Sequence, residues 1–426
     1  MTAKFEYKGY WYLPHQQDNA VAGILTYIPN EKLNLELIGN LGYTKDDIIE
    51  FFKQKRVNII WGETSEAKKV TLLNCFSSGV SYHNDCSFPI INYSIQYCLV
   101  GYHHLEKFEE KVFNWCHVEM PTLTTWCFPG SIKKQLYRST DKKSIDQLSV
   151  SFSSEEMKDP IVSVPINEST ILNLMRDVKL HDEHYIFSFE QSTYLKIQKN
   201  QKTSTSEFLK DIYQFENFMS LATLSKLNAS KIVLFDDTKL DNNKSYYPTE
   251  LFYWLNNPES EPKNRHSFLF DYTQIKDLFN DIIIKWYNDT DQIIPIRRHL
   301  VQSLERNRIF SSVDFLIIIQ AIDGFYCRFR EDVRSLEKIM RDILKEFEDI
   351  KKVKELNINI DEVIDSRHYY SHFMNKSKKP KTLEGEALYI LTQKLRIILI
   401  CCVLKHSGFC NKDIDHIFCN SFHNIL

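Results

Sequence analysis

A chain of 426 residues is too long for one small core, so two domains are expected. Hydrophobic residues make up 43% and charged residues 26%, the balance of a folded globular protein rather than a disordered or fibrous one. The formal net charge of -3 supplies no global field that would draw nucleic acid, so any contact with RNA has to come from local patches.

The start, Met1 to Phe5, lacks a signal-peptide pattern, and no run of about 18 apolar residues occurs. The longest apolar stretches, Phe315 to Ile322 and Ile397 to Leu404, are too short to span a bilayer. The expectation is a cytoplasmic protein with no membrane partner. Ten cysteines never form Cys-x2-Cys, so reduced, buried thiols are expected and no cofactor is.

Residues 1 to about 200 read mostly as strand. Lys4 to Leu13 alternates and is rich in aromatics, Gly23 to Ile28 is a second short run, and Leu33 to Ile38 alternates Leu33, Leu35, Leu37. Asn58 to Trp61, Lys69 to Phe76, Ile91 to Tyr102, Phe113 to Val118, Leu148 to Phe152, Ile161 to Val164 and His184 to Ile197 continue the series. Short β-branched and aromatic runs at this spacing predict an antiparallel, sandwich-like domain or a barrel. Trp115 and Trp126 read as core, and His83, His103, His104 and His117 as surface or satisfied core groups. A helix follows over Ser206 to Leu224, with Phe208, Ile212, Phe215, Phe218, Met219 and Ala222 on one side, and then a strand at Lys231 to Phe235. The cluster Asn256 to Arg265, with two prolines and several charges, is the best boundary in the chain.

From about residue 268 the pattern is helical. Helices are predicted over Tyr272 to Trp286, from Pro295 to about Arg308, over Val313 to Phe329 with Ser311 or Ser312 as cap, over Asp332 to Leu356, over Ile360 to Phe373, over Leu383 to His406 and over Asp413 to Phe422. The fold class is therefore α+β in two domains, a β-rich domain over residues 1–245 and an all-α bundle over 266–426.

Chemistry concentrates in Ser366-Arg367-His368-Tyr369-Tyr370-Ser371-His372, which carries Arg-x4-His. A guanidinium grips phosphate through paired hydrogen bonds and is never neutral at physiological pH. A histidine moves a proton near pH 7. Together they suit metal-free cleavage of RNA. The spacing alone carries little weight, because Arg176 to His181 repeats it beside a β-like run. Residues five apart on a helix are offset by about 140°. Arg367 and His372 thus do not share a face, whereas His368 and His372 do. Either the long arginine reaches back or a second chain completes the site, the shared site being the favoured reading. The basic loop Lys376, Lys378, Lys379 and Lys381 follows directly and offers phosphate contacts or plain solvated surface. Arg328, Arg330 and Arg334 form a weaker patch.

Two metal readings stand beside this one. Asp365, His368 and His372 have ligand spacing on one helical face, without the glutamate of His-Glu-x2-His. Cys402, His406, Cys410, His416, Cys419 and His423 could build a zinc site, although their spacing fits no standard module.

The stretch Arg367 to His372, followed by Leu383-Glu384-Gly385-Glu386-Ala387-Leu388-Tyr389 and an apolar helix, resembles the ApeA-type HEPN proteins of bacterial anti-phage defence. Upstream, Phe315 to Phe325 resembles that group's helix, and Asp323 stands at its acidic position, often Glu. The resemblance implies a metal-independent endoribonuclease that dimerises with its motifs facing each other. Its implied chemistry is attack of the RNA 2′-OH on the adjacent phosphate, leaving a 2′,3′-cyclic phosphate and a 5′-OH. Arg367 would neutralise the phosphorane, His372 would act as acid or base, and Asp323 would orient Arg367 or His372. His368 and Tyr369 are supporting residues. Implied partners are RNA, with a tRNA loop as one candidate, a second copy of the chain, and a phage-encoded trigger for the front domain. The non-catalytic alternative is a sensor or adaptor that dimerises through its helices.

Overall fold

The computed structural model describes residues 4–29, 31, 33–41, 56–81, 88–127, 133–138, 145–151, 159–239, 246–253, 265–289, 291–305, 312–330 and 335–420. It divides into two compact units. The first takes residues 1–121, 131–212 and 228–261, and the second takes residues 122–130, 213–227 and 262–426.

The first unit is antiparallel sheet. Its strands are β1 (Phe5–Tyr12), β2 (Val21–Tyr27), β3 (Leu33–Ile38), β4 (Arg56–Thr64), β5 (Lys69–Ser81), β6 (Ile90–Gly101), β7 (Phe113–Glu119), β8 (Lys133–Arg138), β9 (Ile145–Ser151), β10 (Val162–Asn167), β11 (Thr170–Glu183), β12 (Ile186–Thr203), β13 (Lys231–Lys239) and β14 (Tyr246–Tyr253). Twelve of these make one sheet in the order β10-β11-β12-β7-β13-β14-β6-β3-β2-β1-β4-β5, and β5 returns to pair with β6. That last pairing closes β6-β3-β2-β1-β4-β5 into a six-stranded barrel, so the sandwich-or-barrel expectation resolves to a barrel with a sheet extension. The pivot is β6, whose first half pairs with β3 and whose second half pairs with β14.

Alternation fills the barrel. Leu33, Leu35 and Leu37 all point inward and are fully buried with Leu25, Ile60, Leu72 and Tyr93. Trp11 occupies the centre, and a Cβ on Gly62 would lie 2.3 Å from its ring, which is why a glycine stands there. Three strands escaped the sequence reading. In β11, Asn173 and Asp177 interrupt the apolar run; in β14, Pro248 argues against a strand; and β8 is short and polar. The second Arg-x4-His, Arg176 and His181, lies within β11, where an odd spacing puts the two side chains on opposite faces of the sheet.

At the barrel surface His104 stacks on Trp61 at 4.9 Å and lies 3.2 Å from the Tyr12 hydroxyl. Burial, with Lys69 adding to it, pulls the imidazole down to about 4. The unfolded chain takes up this proton near pH 6.5, whereas the folded chain resists it until about pH 4. Stability is therefore expected to fall across that window as pH drops, by roughly 3 kcal/mol. Urea titrations at pH 7 and pH 4.5 should show the His104→Gln variant losing distinctly less stability than the wild type.

The second unit is helical: α1 (Leu123–Trp126), the end of α2 (Thr205–Thr223), α3 (Tyr272–Ile275), α4 (Phe279–Asn288), α5 (Ile294–Glu305), α6 (Ser312–Phe329), α7 (Leu336–Glu346), α8 (Lys351–Glu355), α9 (Ile360–His372), α10 (Gly385–His406) and α11 (Asn411–Asn420). Two predicted helices are broken. Tyr272 to Trp286 divides into α3 and α4 at residues 276–278. Asp332 to Leu356 divides into α7 and α8, and Phe347 and Ile350 at the break are both buried. The loose ends are taken by α11: Asn411 donates to the Glu346 carbonyl, and Asp415 accepts from the Lys351 amide.

Trp126 is fully buried among Phe218, Tyr272 and Phe279, and its indole N–H donates to the Phe270 carbonyl at 3.0 Å. Helix α10 is the axis of the unit. It is long and apolar enough to cross a membrane, contrary to the expectation that no stretch is, but Leu391, Leu395 and Ile397 to Leu404 are all buried in the helical core.

Candidate functional site

Helix α9 starts at Asn359, whose side chain accepts from the Asp361 amide at 3.1 Å, and Asp361 and Glu362 in the first turn complement the positive end of the helix. Val363 and Ser366 face inward, and Ser366 Oγ accepts from the Leu383 amide at 3.0 Å. Tyr370 donates to the Leu383 carbonyl at 3.1 Å and meets Phe315 of α6 edge-on at 6.3 Å. These contacts fix the rotation of α9 and so the direction of the side chains between them. The helix ends after His372 because Phe373 takes a left-handed conformation, φ 52°.

Arg367 leaves α9 toward α6, where its Nη2 donates to Asp323 Oδ2 at 3.2 Å. The pair is about 30% exposed on both sides, so it orients the guanidinium more than it stabilises the fold. It is the guanidinium's only hydrogen bond among the described residues, which leaves other N–H donors for a phosphate. On the far side of Asp323, Cys327 Sγ lies 3.8 Å from Oδ1. Cys327 lies in an apolar run that predicts a buried thiol, but it is exposed, and its i, i+4 spacing from Asp323 places it beside that carboxylate. Burial raises its thiol, with the Asp323 charge adding to the effect.

His368 and His372 share a face, with ring centroids 5.8 Å apart. Burial lowers the His368 imidazole, and the nearby positive Lys379 and Arg367 lower it further, which favours its neutral form. Its Nδ1 is buried and has no hydrogen-bond partner among the described residues. His372 is exposed at the helix end. Tyr369 is half-buried and packs edge-on against Tyr370 at 4.9 Å. The structure thus brings Arg367 to Asp323 and His368 to His372, and leaves His372 directed outward.

The lysine loop folds back along α9. Lys379 meets Asp365 at 3.2 Å, the Lys381 amide donates to the other oxygen of Asp365 at 3.1 Å, and Lys381 Nζ reaches Asp361 at 2.6 Å. Lys376 pairs with Glu384. Lys378 is exposed and has no ion pair among the described residues. The exposed pairs are weak enough to exchange for other charged partners.

Asp365 is therefore occupied by the loop rather than turned toward His368 and His372. Among the described residues no group of three or more His, Cys, Asp or Glu side chains converges as a metal site would. His406 is held by Asp289 at 2.8 Å and stacks near Phe329, Cys402 is fully buried, and Cys410 and Cys419 are exposed. His423 lies outside the described residues, as do His83 and Arg334. Arg328 donates to the Gln292 carbonyl at 2.7 Å and Arg330 forks onto Glu346 at 2.6 and 2.8 Å, so the weaker arginine patch is engaged within the helical unit.

A sheet domain with a closed barrel is thus followed by a helical unit that tethers Arg367 to Asp323 beside His368 and His372. The family model described as Apea-like HEPN matches residues 316–413. The model described as ApeA N-terminal domain 1 matches residues 6–286, well over half of the chain. The chain belongs to the ApeA-type HEPN family, whose HEPN domains are typically ribonucleases. No curated protein and no solved structure matches it.

Proposed function

We propose that this protein is a metal-independent endoribonuclease of anti-phage defence, cutting RNA by attack of the 2′-OH on the adjacent phosphate. The observation that carries the reading is the Arg367–Asp323 pair at 3.2 Å on the helix that presents His368 and His372. Arg367, held by Asp323, supplies fixed positive charge where the phosphorane gathers negative charge. His372, free at the helix end, exchanges the proton with the attacking or leaving oxygen. His368, on the same face as His372, supports it as a neighbouring imidazole. The lysine loop trades its carboxylates for RNA phosphates, and single-stranded loops such as those of tRNA suit an in-line attack.

The working form is a dimer in this reading. Arg367 and His372 leave different sides of α9, so one chain presents an incomplete set. Phe373, next to His372, is 92% exposed and left-handed, a conformation costly for a bulky side chain. A partner chain covering that ring would offset the cost, and Val313, Tyr389 and Ile390 are further exposed apolar groups of the helical unit. The front domain acts as sensor or restraint for a phage-encoded trigger.

Incubating the purified chain with single-stranded RNA in excess EDTA tests the function. Cutting is expected in EDTA. Cutting only with added metal ion would displace this chemistry, and an inert chain in infected-cell lysate would favour an adaptor.

A further inference from the structure

A groove of about 520 Å³ lies against the β5–β6 wall of the barrel, within the size range of small-molecule sites. Phe76, Tyr97 and Tyr253 give it aromatic walls, and Ser77, Ser78, Ser94 and Gln96 give it hydroxyls and an amide. It sits where β6 exchanges one neighbour for another, since Ile95 pairs with Leu33 of β3 and Tyr97 with Tyr253 of β14. The change of partner opens the wall at Gln96.

The groove's rim is built rather than incidental. Asn74, in the middle of β5, has φ 55°, a left-handed conformation inside a strand. Such strain persists where the surroundings impose it and clusters at functional sites. Asn74 uses its side chain to join the rim: Arg56 donates to its Oδ1 at 2.6 Å, and its Nδ2 donates to Gln96 Oε1 at 2.8 Å. Gln96 in turn donates toward the Tyr97 hydroxyl at 3.4 Å. Phe108 stacks on Tyr97 at 4.6 Å and holds that ring in place. Arg56 lies 5.5 Å over Phe76, is exposed, and meets no carboxylate among the described residues.

We infer that this groove binds a nucleotide unit, its base among Phe76, Tyr97 and Tyr253 and its phosphate on Arg56. Aromatic walls take a planar base, amide and hydroxyl groups read its edge and sugar, and a guanidinium without a carboxylate takes the phosphate. A peptide added as a strand is disfavoured, because Phe76, Ile95 and Tyr97 already pair on both sides and offer no free edge. The same chemistry is supplied by a free nucleotide or by one residue of an RNA strand. The inference concerns the barrel alone and does not rest on the nuclease reading.

The test uses the intact His372→Ala chain, titrated with AMP by calorimetry and with fluorescein-labelled hexaadenylate by anisotropy. Saturable binding is expected, weakened at least tenfold by Arg56→Ala and by Ser94→Trp, which fills the groove. If AMP binds in this groove-dependent way, a free nucleotide suffices; if only hexaadenylate does, the ligand is an RNA strand. Absence of binding by both probes would overturn the inference. So would binding that both variants leave intact, or groove-dependent binding of an acetylated Gly-Tyr-Tyr-Gly peptide with none of the nucleotide probes. Arg56→Ala alters an exposed side chain, so it reports even if Ser94→Trp disturbs the barrel.

Discussion

Arg367→Ala and His372→Ala are each expected to lower RNA cleavage by a factor on the order of 10³, with the fold unchanged. Both side chains reach the surface of α9, and neither belongs to the core, which at this helix is Val363 and Ser366. Loss of the guanidinium removes the positive charge facing the phosphorane, and loss of the imidazole removes the proton carrier, so the two act at different points of one step. If the site is shared across a dimer, an equal mixture of the two inactive chains recovers part of the activity, up to about a quarter of wild type. In the mixed dimer one chain contributes the intact arginine and the other the intact histidine. Cutting by both single variants at wild-type rate would remove the site assignment. Failure of the mixture to recover any activity would put both working groups on one chain.

Asp323 carries the second large effect. Asp323→Ala should lower kcat for RNA by about 10- to 100-fold with little change in KM, because the carboxylate positions Arg367 without touching substrate. Asp323→Glu should restore most of the loss, since a longer carboxylate still reaches the guanidinium. The pair is partly exposed, so thermal stability should move by less than about 1 kcal/mol. Equal damage from Ala and Glu, or a loss seen in stability alone, would assign Asp323 a merely structural part. The same substitution relieves the raised Cys327 thiol of its charged neighbour. Its alkylation by iodoacetamide at pH 8 is an independent check that the carboxylate has been removed from this position.

The local pattern of the chain was legible where its periodicity is strict. Leu33 to Ile38 is a strand with the bounds its alternating leucines indicate, and α9 ends one residue before the predicted Phe373. The break between α7 and α8 was not legible. Val333, Leu336, Ile339, Ile343, Phe347 and Ile350 keep helical spacing through it, and only Asn411 and Asp415, some 65 residues on, supply the groups that satisfy the exposed ends. Barrel closure was hidden for a similar reason, since the β5–β6 pairing is a matter of register and leaves no mark in either strand's composition. Trp126 reads as core, yet its partners Phe218, Phe270 and Phe279 lie about a hundred residues or more further along the chain.

The site was legible in part. Arg367 and Asp323 were named from the sequence, and their contact is a matter of how α6 packs on α9. The lysine loop was visible as charge, but its pairing with Asp361, Asp365 and Glu384 was not, because residues eight to twenty positions away on other elements provide the partners. That pairing also explains why Asp365, which has ligand spacing from His368, takes no part in a metal cluster among the described residues.

The most direct test of the central claim is the chemistry of the RNA ends made in cells. Sequencing 5′-hydroxyl and 2′,3′-cyclic phosphate ends after expression of the wild-type chain, against the His372→Ala chain, should reveal a set of cut sites present only in the first. Ends that carry 5′-phosphate, or an identical set of cuts from both chains, would contradict metal-free cleavage at Arg367 and His372.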